Sequence, residues 1–313
     1  MRNSFLNELF ELAKKDERIV LIVGDLGFGV VTPFMEQLPR QFLNAGVAEQ
    51  NMTGMAAGMA LSGKIAFTYS IANFPTMRCL EHIRNDVCYH NANVKIVTVG
   101  GGFAYGAMGA THHAIEDLAV MRALPGIMVV APGDPIEARA ATRAITEYAG
   151  PCYLRLGKAG EPVVHQTEIR FELGKAIQMR EGRDATLICT GGILQTAVRT
   201  AQRLAEEGIQ TRLLSMHTVK PLDTEAVLAA ARETRAILTL EEHSILGGLG
   251  SAVAEVLAEA DIPRVPFRRI GVPAAFSPHI GSQEFMRERH GLTPETIAKS
   301  IEDILKVVPS RSF

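Results

Sequence analysis

Unbroken apolar runs alternate with stretches of helical periodicity along almost the whole chain. The runs at 18–26 (RIVLIVGDL), 64–72 (KIAFTYSIA), 93–102 (NVKIVTVGGG), 126–134 (GIMVVAPGD) and 152–158 (CYLRLGK) show no polar alternation. Strands of that kind are covered on both faces, as in parallel sheets flanked by helices. Between them, 48–61, 75–90, 115–123 and 134–148 read as helices. The last carries its own start signal: Asp134 as N-cap, Pro135 at the first helical position, Glu137 in the first turn.

The cadence pauses over 157–176, a segment rich in Gly, Pro and polar residues, and then resumes. The second round predicts strands at 184–192 and near 209–215, 236–241 and 265–270. Its helices fall near 193–207, 223–232, 248–260 and 293–306. The expected fold class is α/β: two three-layer domains with mainly parallel sheets, at 1–160 and 176–313, joined by a linker at 161–175. A length of 313 residues suits two such domains. No low-complexity tract and no short repeat interrupts the pattern.

Composition narrows the class of partner. No stretch approaches the ~20 apolar residues of a membrane span. The N-terminal MRNSFLNELFELAKKDER reads as an amphipathic helix and not as a signal peptide. A net charge of −2 advertises neither nucleic acid nor an anionic membrane as partner. The four cysteines (Cys79, Cys88, Cys152 and Cys189) form no C-x-x-C pair. They are expected as small buried hydrophobes in a reduced, cytoplasmic compartment.

Some positions carry chemistry, each with a plainer reading beside it. Glu49 opens the segment EQNMTGMAAGMALSG, whose small residues let a backbone or flat ligand come close; the plainer reading is a carboxylate favoured by the helix dipole. GGGFAYGAMG (100–109) lacks the spacing of a dinucleotide fingerprint and reads as a mobile loop over a site. SILGGLGSAVAEVL (244–257) reads as close packing. His112 and His113 have no neighbouring Cys, Asp or Glu cluster, so no metal site is expected; an acid–base role for one of them fits a loop over a pocket. Arg78 and Arg84 are otherwise surface side chains that snorkel. Arg155 ends a strand, where open α/β sheets bind ligands.

Five stretches, in order, resemble the transketolase-like thiamine diphosphate enzymes: GVAEQNM (46–52), YSIANFPTMRCLEHIRNDV (69–87), GATHHAIEDLAVMRALPGIMVVAPGD (109–134), YLRLGK (153–158) and EEHSILGGLGSAVAEVL (241–257). The match spans the family's pyrimidine-binding domain followed by its C-terminal domain. The resemblance implies that Glu49 hydrogen-bonds the aminopyrimidine of thiamine diphosphate and so promotes loss of the thiazolium proton. It implies that Tyr69 and Phe74 form an aromatic wall, with Arg78 one turn beyond, and that Val47 props the bent coenzyme. Asp25 matches an acidic residue near the coenzyme. His112 matches a histidine beside the substrate carbonyl, and Arg155 and Arg2 match arginines that hold a substrate phosphate.

The family's Gly-Asp-Gly motif, which holds Mg²⁺ on the diphosphate, is missing, since the chain contains no Asp-Gly dipeptide. The resemblance therefore implies one half of a split transketolase. A separate partner chain would carry the diphosphate domain and most of the Mg²⁺ contacts, in an obligate heterotetramer acting on small phosphorylated sugars. Alternatives are the beta subunit of a 2-oxoacid dehydrogenase, a deoxyxylulose-phosphate-synthase-like carboligase and a catalytically silent regulatory subunit. Transketolases of central metabolism carry an acid and a histidine where this chain has Ala107-Met108-Gly109-Ala110 and Gly100. A less hydroxylated or branched acceptor is therefore expected.

Overall fold

Strands with no polar face need cover on both sides, and the chain supplies it twice. The computed structural model describes residues 1–307; the end of the expected second domain, 308–313, lies outside the described residues. The strands are β1 (Ile19–Val23), β2 (Phe42–Asn44), β3 (Ile65–Ile71), β4 (Val94–Val99), β5 (Met128–Val130), β6 (Cys152–Leu156), β7 (Ile177–Arg180), β8 (Ala185–Thr190), β9 (Thr211–Ser215), β10 (Thr218–Lys220), β11 (Ile237–Ser244) and β12 (Phe267–Val272). The helices are α1 (Arg2–Ala13), α2 (Thr32–Gln37), α3 (Glu49–Leu61), α4 (Asn73–Thr76), α5 (Leu80–His82), α6 (Asp117–Ala123), α7 (Pro135–Glu147), α8 (Leu194–Glu206), α9 (Thr224–Glu233), α10 (Leu249–Glu259), α11 (Gln283–Arg289) and α12 (Pro294–Lys306).

The first sheet runs β10-β5-β6-β4-β3-β1-β2 and the second β12-β11-β8-β9-β7. Every pairing is parallel except β10 with β5 and β7 with β9. Strand alternation sorts the first core into two halves. Leu21, Phe67, Tyr69 and Leu154 pack with Phe5 and Leu9 of α1 and with Ala141 of α7. Ile22, Ala66, Ile96 and Tyr153 pack on the other side with Met52 and Ala56 of α3 and with Met121 of α6. Burying each of the larger side chains contributes about 1.5–3 kcal/mol before chain entropy is subtracted.

The start signal at 134 forms as the sequence implies. The Asp134 carboxylate accepts from Ile136 N and Glu137 N, with Pro135 in the first turn. The predicted helix at 75–90 instead breaks into α4, α5 and a π-helical turn at Ile83–Cys88. Pro75 sits in the first turn of α4, where its missing N–H has no helical partner to lose.

Two features tie the halves together more closely than a free tether would. β10, from the stretch after the linker, pairs antiparallel with β5 and extends the first sheet. The linker is also pinned: Val164 N and His165 N donate to Asp134, and Phe171 stacks on His217 at 3.9 Å. His165 meets the buried Glu137 at 2.8 Å. Burial pulls the His165 imidazole down, but the hydrogen bond and charge of Glu137 outweigh it and hold it above its ordinary value.

His217 titrates in the opposite direction. Burial drives its imidazole down from 6.5 to about 4, against the weaker pull of Glu137. Between those values the unfolded chain binds a proton that the folded chain refuses, so stability is full above the unfolded value and is lost as pH falls toward 4. His217→Phe preserves the stack on Phe171 and removes a buried Nε2 that has no partner. Thermal melts from pH 7 to 4 should show a shallower acid loss in this variant than in wild type. An unchanged slope would assign that loss to other groups.

Candidate active site

Helix α3 begins at Glu49, after Ala48 in a non-helical conformation, so the carboxylate lies against the positive end of the helix. Glu49 is only 2% exposed. Its Oε1 accepts from Ser70 Oγ at 3.2 Å and its Oε2 from Arg78 Nη1 at 2.7 Å. Gly24, just past β1, forms the floor of the cleft; a Cβ there would stand 3.3 Å from Ser70 Oγ and 3.5 Å from the Glu49 carboxylate. The cleft therefore holds an ion pair and not a lone carboxyl.

Arg78 is 47% exposed, and its guanidinium lies 4.9 Å from the centre of the Phe74 ring. Phe74 meets His112 edge-on at 5.3 Å. Glu49, Arg78, Phe74 and His112 thus form a continuous wall built by α3, α4 and the Gly-rich loop. Asn73 Nδ2 donates to the carbonyls of Thr111 and His113 at 3.1 and 3.0 Å, so the loop expected to be mobile is fastened to α4.

The two adjacent histidines separate. His112 is half-buried and faces Phe74 and Tyr105, with Nδ1 2.9 Å from Thr111 Oγ1. His113 is 3% exposed, its Nε2 3.0 Å from the Gly106 carbonyl and its ring edge-on to Phe103. The site therefore takes His112, and His113 braces the loop from beneath.

Tyr105 extends the wall. Its ring lies 6.3 Å from that of His112, and Lys158 Nζ sits 5.0 Å from the ring on another side. Burial raises the Tyr105 phenol, with the positive charge of Arg2 opposing the rise. Arg2 Nε donates to Asn3 Oδ1 at 3.1 Å at the start of α1. Gly100 has φ +95°, and a side chain there would collide with the Tyr105 ring. Tyr105 thus fills the space a side chain at position 100 would occupy.

The rim is open. Val47, two residues before Glu49, is 74% exposed, and Met77, next to Arg78, is 41% exposed. Asp25 is exposed with φ +55° and accepts from Asn44 Nδ2 at 2.9 Å. Gly54 and Gly58 of α3 have nothing within 4 Å of where a Cβ would stand, so this helix presents a bare small-residue face.

Two expected site residues are elsewhere. Tyr69 is 1% exposed and stacks on Phe5 of α1 at 6.3 Å. It precedes Ser70 on β3, so it points to the opposite face of the sheet from Glu49. It is a core residue, and Phe74 carries the aromatic wall without it. Arg155 is 4% exposed, and its Nε donates to Asp117 Oδ2 at 2.7 Å. Its Nη2 donates to Asp117 Oδ1 and to the carbonyls of Ala114 and Glu242. The cavity beside it, between Gly101, Gly191 and Arg287, holds about 20 Å³. That is room for about one water and not for a phosphate. Arg155 is a structural cation, with its charge matched internally.

Ser70, Tyr105 and Lys158 join the site without standing out as chemistry in the sequence. Lys158 closes the YLRLGK stretch, three residues beyond Arg155, and Tyr105 interrupts a glycine run with a side chain of unusual size for such a loop. The residues present fit one end of thiamine diphosphate: a buried carboxylate acceptor, an aromatic face and a glycine floor. Among the described residues no group of three His, Cys, Asp or Glu is placed to hold a metal ion. No helix among them is long and apolar enough to cross a membrane.

Comparison with known proteins identifies the family. The family model described as "Transketolase, pyrimidine binding domain" matches residues 1–160, and "Transketolase, C-terminal domain" matches 174–297. The chain is 41% identical over 307 residues to one of the subunits of the apulose-4-phosphate transketolase of Phocaeicola vulgatus, covering 97% of each chain. It is 40% identical to the SqwH subunit of the 6-deoxy-6-sulfo-D-fructose transketolase of a Clostridium species, over 97% of this chain and 94% of that one. A solved structure titled as a split-gene transketolase, inactive beta4 tetramer, superimposes with a TM-score of 0.88 at 39% identity, covering 98% of both chains.

Proposed function

The chain belongs to the transketolase family as a subunit of a thiamine diphosphate-dependent enzyme, and from that premise we propose that it is the pyrimidine-binding half of a split transketolase acting on an anionic ketose. The observation that carries the proposal is the Glu49 carboxylate, 2% exposed and held between Ser70 and Arg78 at one end of the Phe74–His112 wall. When bound, thiamine diphosphate supplies the carbon nucleophile and the electron sink that ketol transfer needs. Glu49 would accept a hydrogen bond from the ring nitrogen of the pyrimidine and hold a proton there. Phe74 would give the ring an aromatic neighbour, and Val47 and Asp25 would line the entrance. His112 donates to the substrate oxygen nearest the bond that breaks.

A separate partner chain carries the diphosphate domain and Mg²⁺. The exposed Val47 and Met77, each close in sequence to a residue of the Glu49–Arg78 pair, give it apolar surface to land on. Two copies of each chain in a cytoplasmic heterotetramer fit this division. The apulose-4-phosphate and sulfofructose enzymes act on sugars whose names carry a phosphate and a sulfonate. Here Lys158, over the Tyr105 ring, meets such a group in place of Arg155, with Arg2 as a second cation for it. Loss of the acid and the histidine of other transketolases at positions 100 and 107–110 removes polar contacts to hydroxyls, which favours a less hydroxylated acceptor.

The test is co-purification with a chain that carries the diphosphate domain, followed by assays with phosphorylated, sulfonated and neutral ketoses. Lys158→Ala should raise KM for the anionic donors ~10–100-fold, the size of a lost charge-assisted contact, and leave neutral donors unchanged. Equal effects on both would remove Lys158 from the anion site. A reconstituted pair with no ketol transfer to any acceptor would overturn the function.

A further inference from the structure

The second domain reaches into the loop of the first through one carboxylate. Glu242, near the end of β11, is 3% exposed. Its Oε1 accepts from the backbone N–H of Phe103 at 2.6 Å, across 139 residues of chain. Gln283 Nε2 donates to both of its oxygens at 2.9 and 3.1 Å, and Arg287 Nε donates to Oε2 at 2.7 Å. Arg287 Nη2 continues to the Gly192 carbonyl at 2.9 Å. Glu242 thus links the Gly-rich loop, β11 and α11, and Arg287 extends the link to the turn after β8.

Its point of attachment is the neck of the loop. Gly102 and Ala114 exchange backbone hydrogen bonds at 2.8 and 2.9 Å, closing the segment between them. Within that segment lie Tyr105 and His112, the loop's side of the site wall. Gly102 has φ +66°, and a Cβ there would come within 2.6 Å of Glu242 Oε1, so the backbone passes directly over the carboxylate. Ser244 N also donates to the Ile115 carbonyl at 2.7 Å just beyond the neck. The loop tip is held too: a Cβ on Gly106 would stand 2.7 Å from the Gly281 carbonyl.

We propose that Glu242 is a positioning residue, through which the C-terminal domain sets the loop that presents Tyr105 and His112 to the substrate. It lies outside the Glu49–Arg78–Phe74 side of the cleft, so it governs how the sugar is held and not how the coenzyme is bound. A buried carboxylate that accepts from a backbone N–H while paired with Arg287 fixes the loop in position and direction, where an apolar contact would fix only its distance. The effect on catalysis rests on the function proposed above; the effect on the loop does not.

Hydrogen exchange on the full chain, followed by kinetics of the reconstituted pair, tests the proposal. In Glu242→Ala, amides of 103–113 should exchange ~10–100-fold faster while those of 65–71 keep their wild-type rates. Sugar KM should rise by a similar factor, with thiamine diphosphate affinity unchanged. Glu242→Gln, which keeps an oxygen for Phe103 N, should restore part of the protection. If Glu242→Ala does not fold, Gln283→Leu removes donors from the same carboxylate and should show the same pattern more weakly. Unchanged exchange at 103–113, or equal acceleration at 103–113 and 65–71, overturns the positioning role. If the wild-type pair transfers no ketol unit, it is the functional reading that fails, and the exchange result alone decides the role of Glu242.

Discussion

Glu49→Gln should lower turnover of the assembled enzyme by about 10²–10⁴-fold, the range expected when a group that manages a proton in the transition state is lost. The substitution keeps the shape of the side chain and an oxygen for Ser70, so the cleft stays packed. The remaining partner, Arg78, is 47% exposed and can turn its guanidinium to water, so the fold tolerates the change. The amide, however, could not accept the proton that the carboxylate would share with the coenzyme's ring nitrogen in the proposed site. Steady-state assays of the pair at saturating coenzyme give the answer, with a thermal melt to confirm folding. Turnover within threefold of wild type would support the catalytically silent subunit instead.

Arg155→Met should destabilise the chain by about 3–5 kcal/mol, because it leaves a buried charge without its partner. Asp117 is 0% exposed, with Tyr153 Oη as the other side chain donating to it, at 2.5 Å. A denaturant titration measures the loss. Adding Asp117→Leu should recover much of it, since two apolar groups in place of a buried ion pair avoid the desolvation that both ions suffer. The same variant separates two roles for this arginine. A phosphate-binding residue, once removed, raises KM for anionic donors at nearly constant stability. The internal cation seen here lowers stability with no preference among donors.

Much of the architecture is legible along the chain because local rules and the final packing agree. Uniformly apolar runs form parallel strands, and the Asp134-Pro135 signal opens α7. The position of Glu49 at the start of α3 is legible in the sequence, though the helix dipole alone also explains a carboxylate there; its contacts with Ser70 and Arg78 are not. The glycines at 54 and 58 point to close approach, and the structure leaves that face of α3 bare. The stretch at 75–90 is less regular than its periodicity implies, for the chain crosses it in short helical pieces with a π-helical turn.

By itself the sequence determined the long apolar strands and the helices between them, and that an acid opens α3; it gave no sign of the short strands β2, β7 and β10 or of α2 and α11. The elements it determined follow from spacing within a few residues, where backbone geometry dictates which side chains share a face. Only the tertiary structure decided which face of a strand meets which helix. It set Tyr69 against α1 while its neighbour Ser70 reached Glu49. It alone decided partners far apart in the chain: Arg155 with Asp117, Lys158 over Tyr105, Glu242 beneath Phe103, and β10 beside β5. Those pairings depend on how separate elements pack in space, and residue spacing carries no record of it.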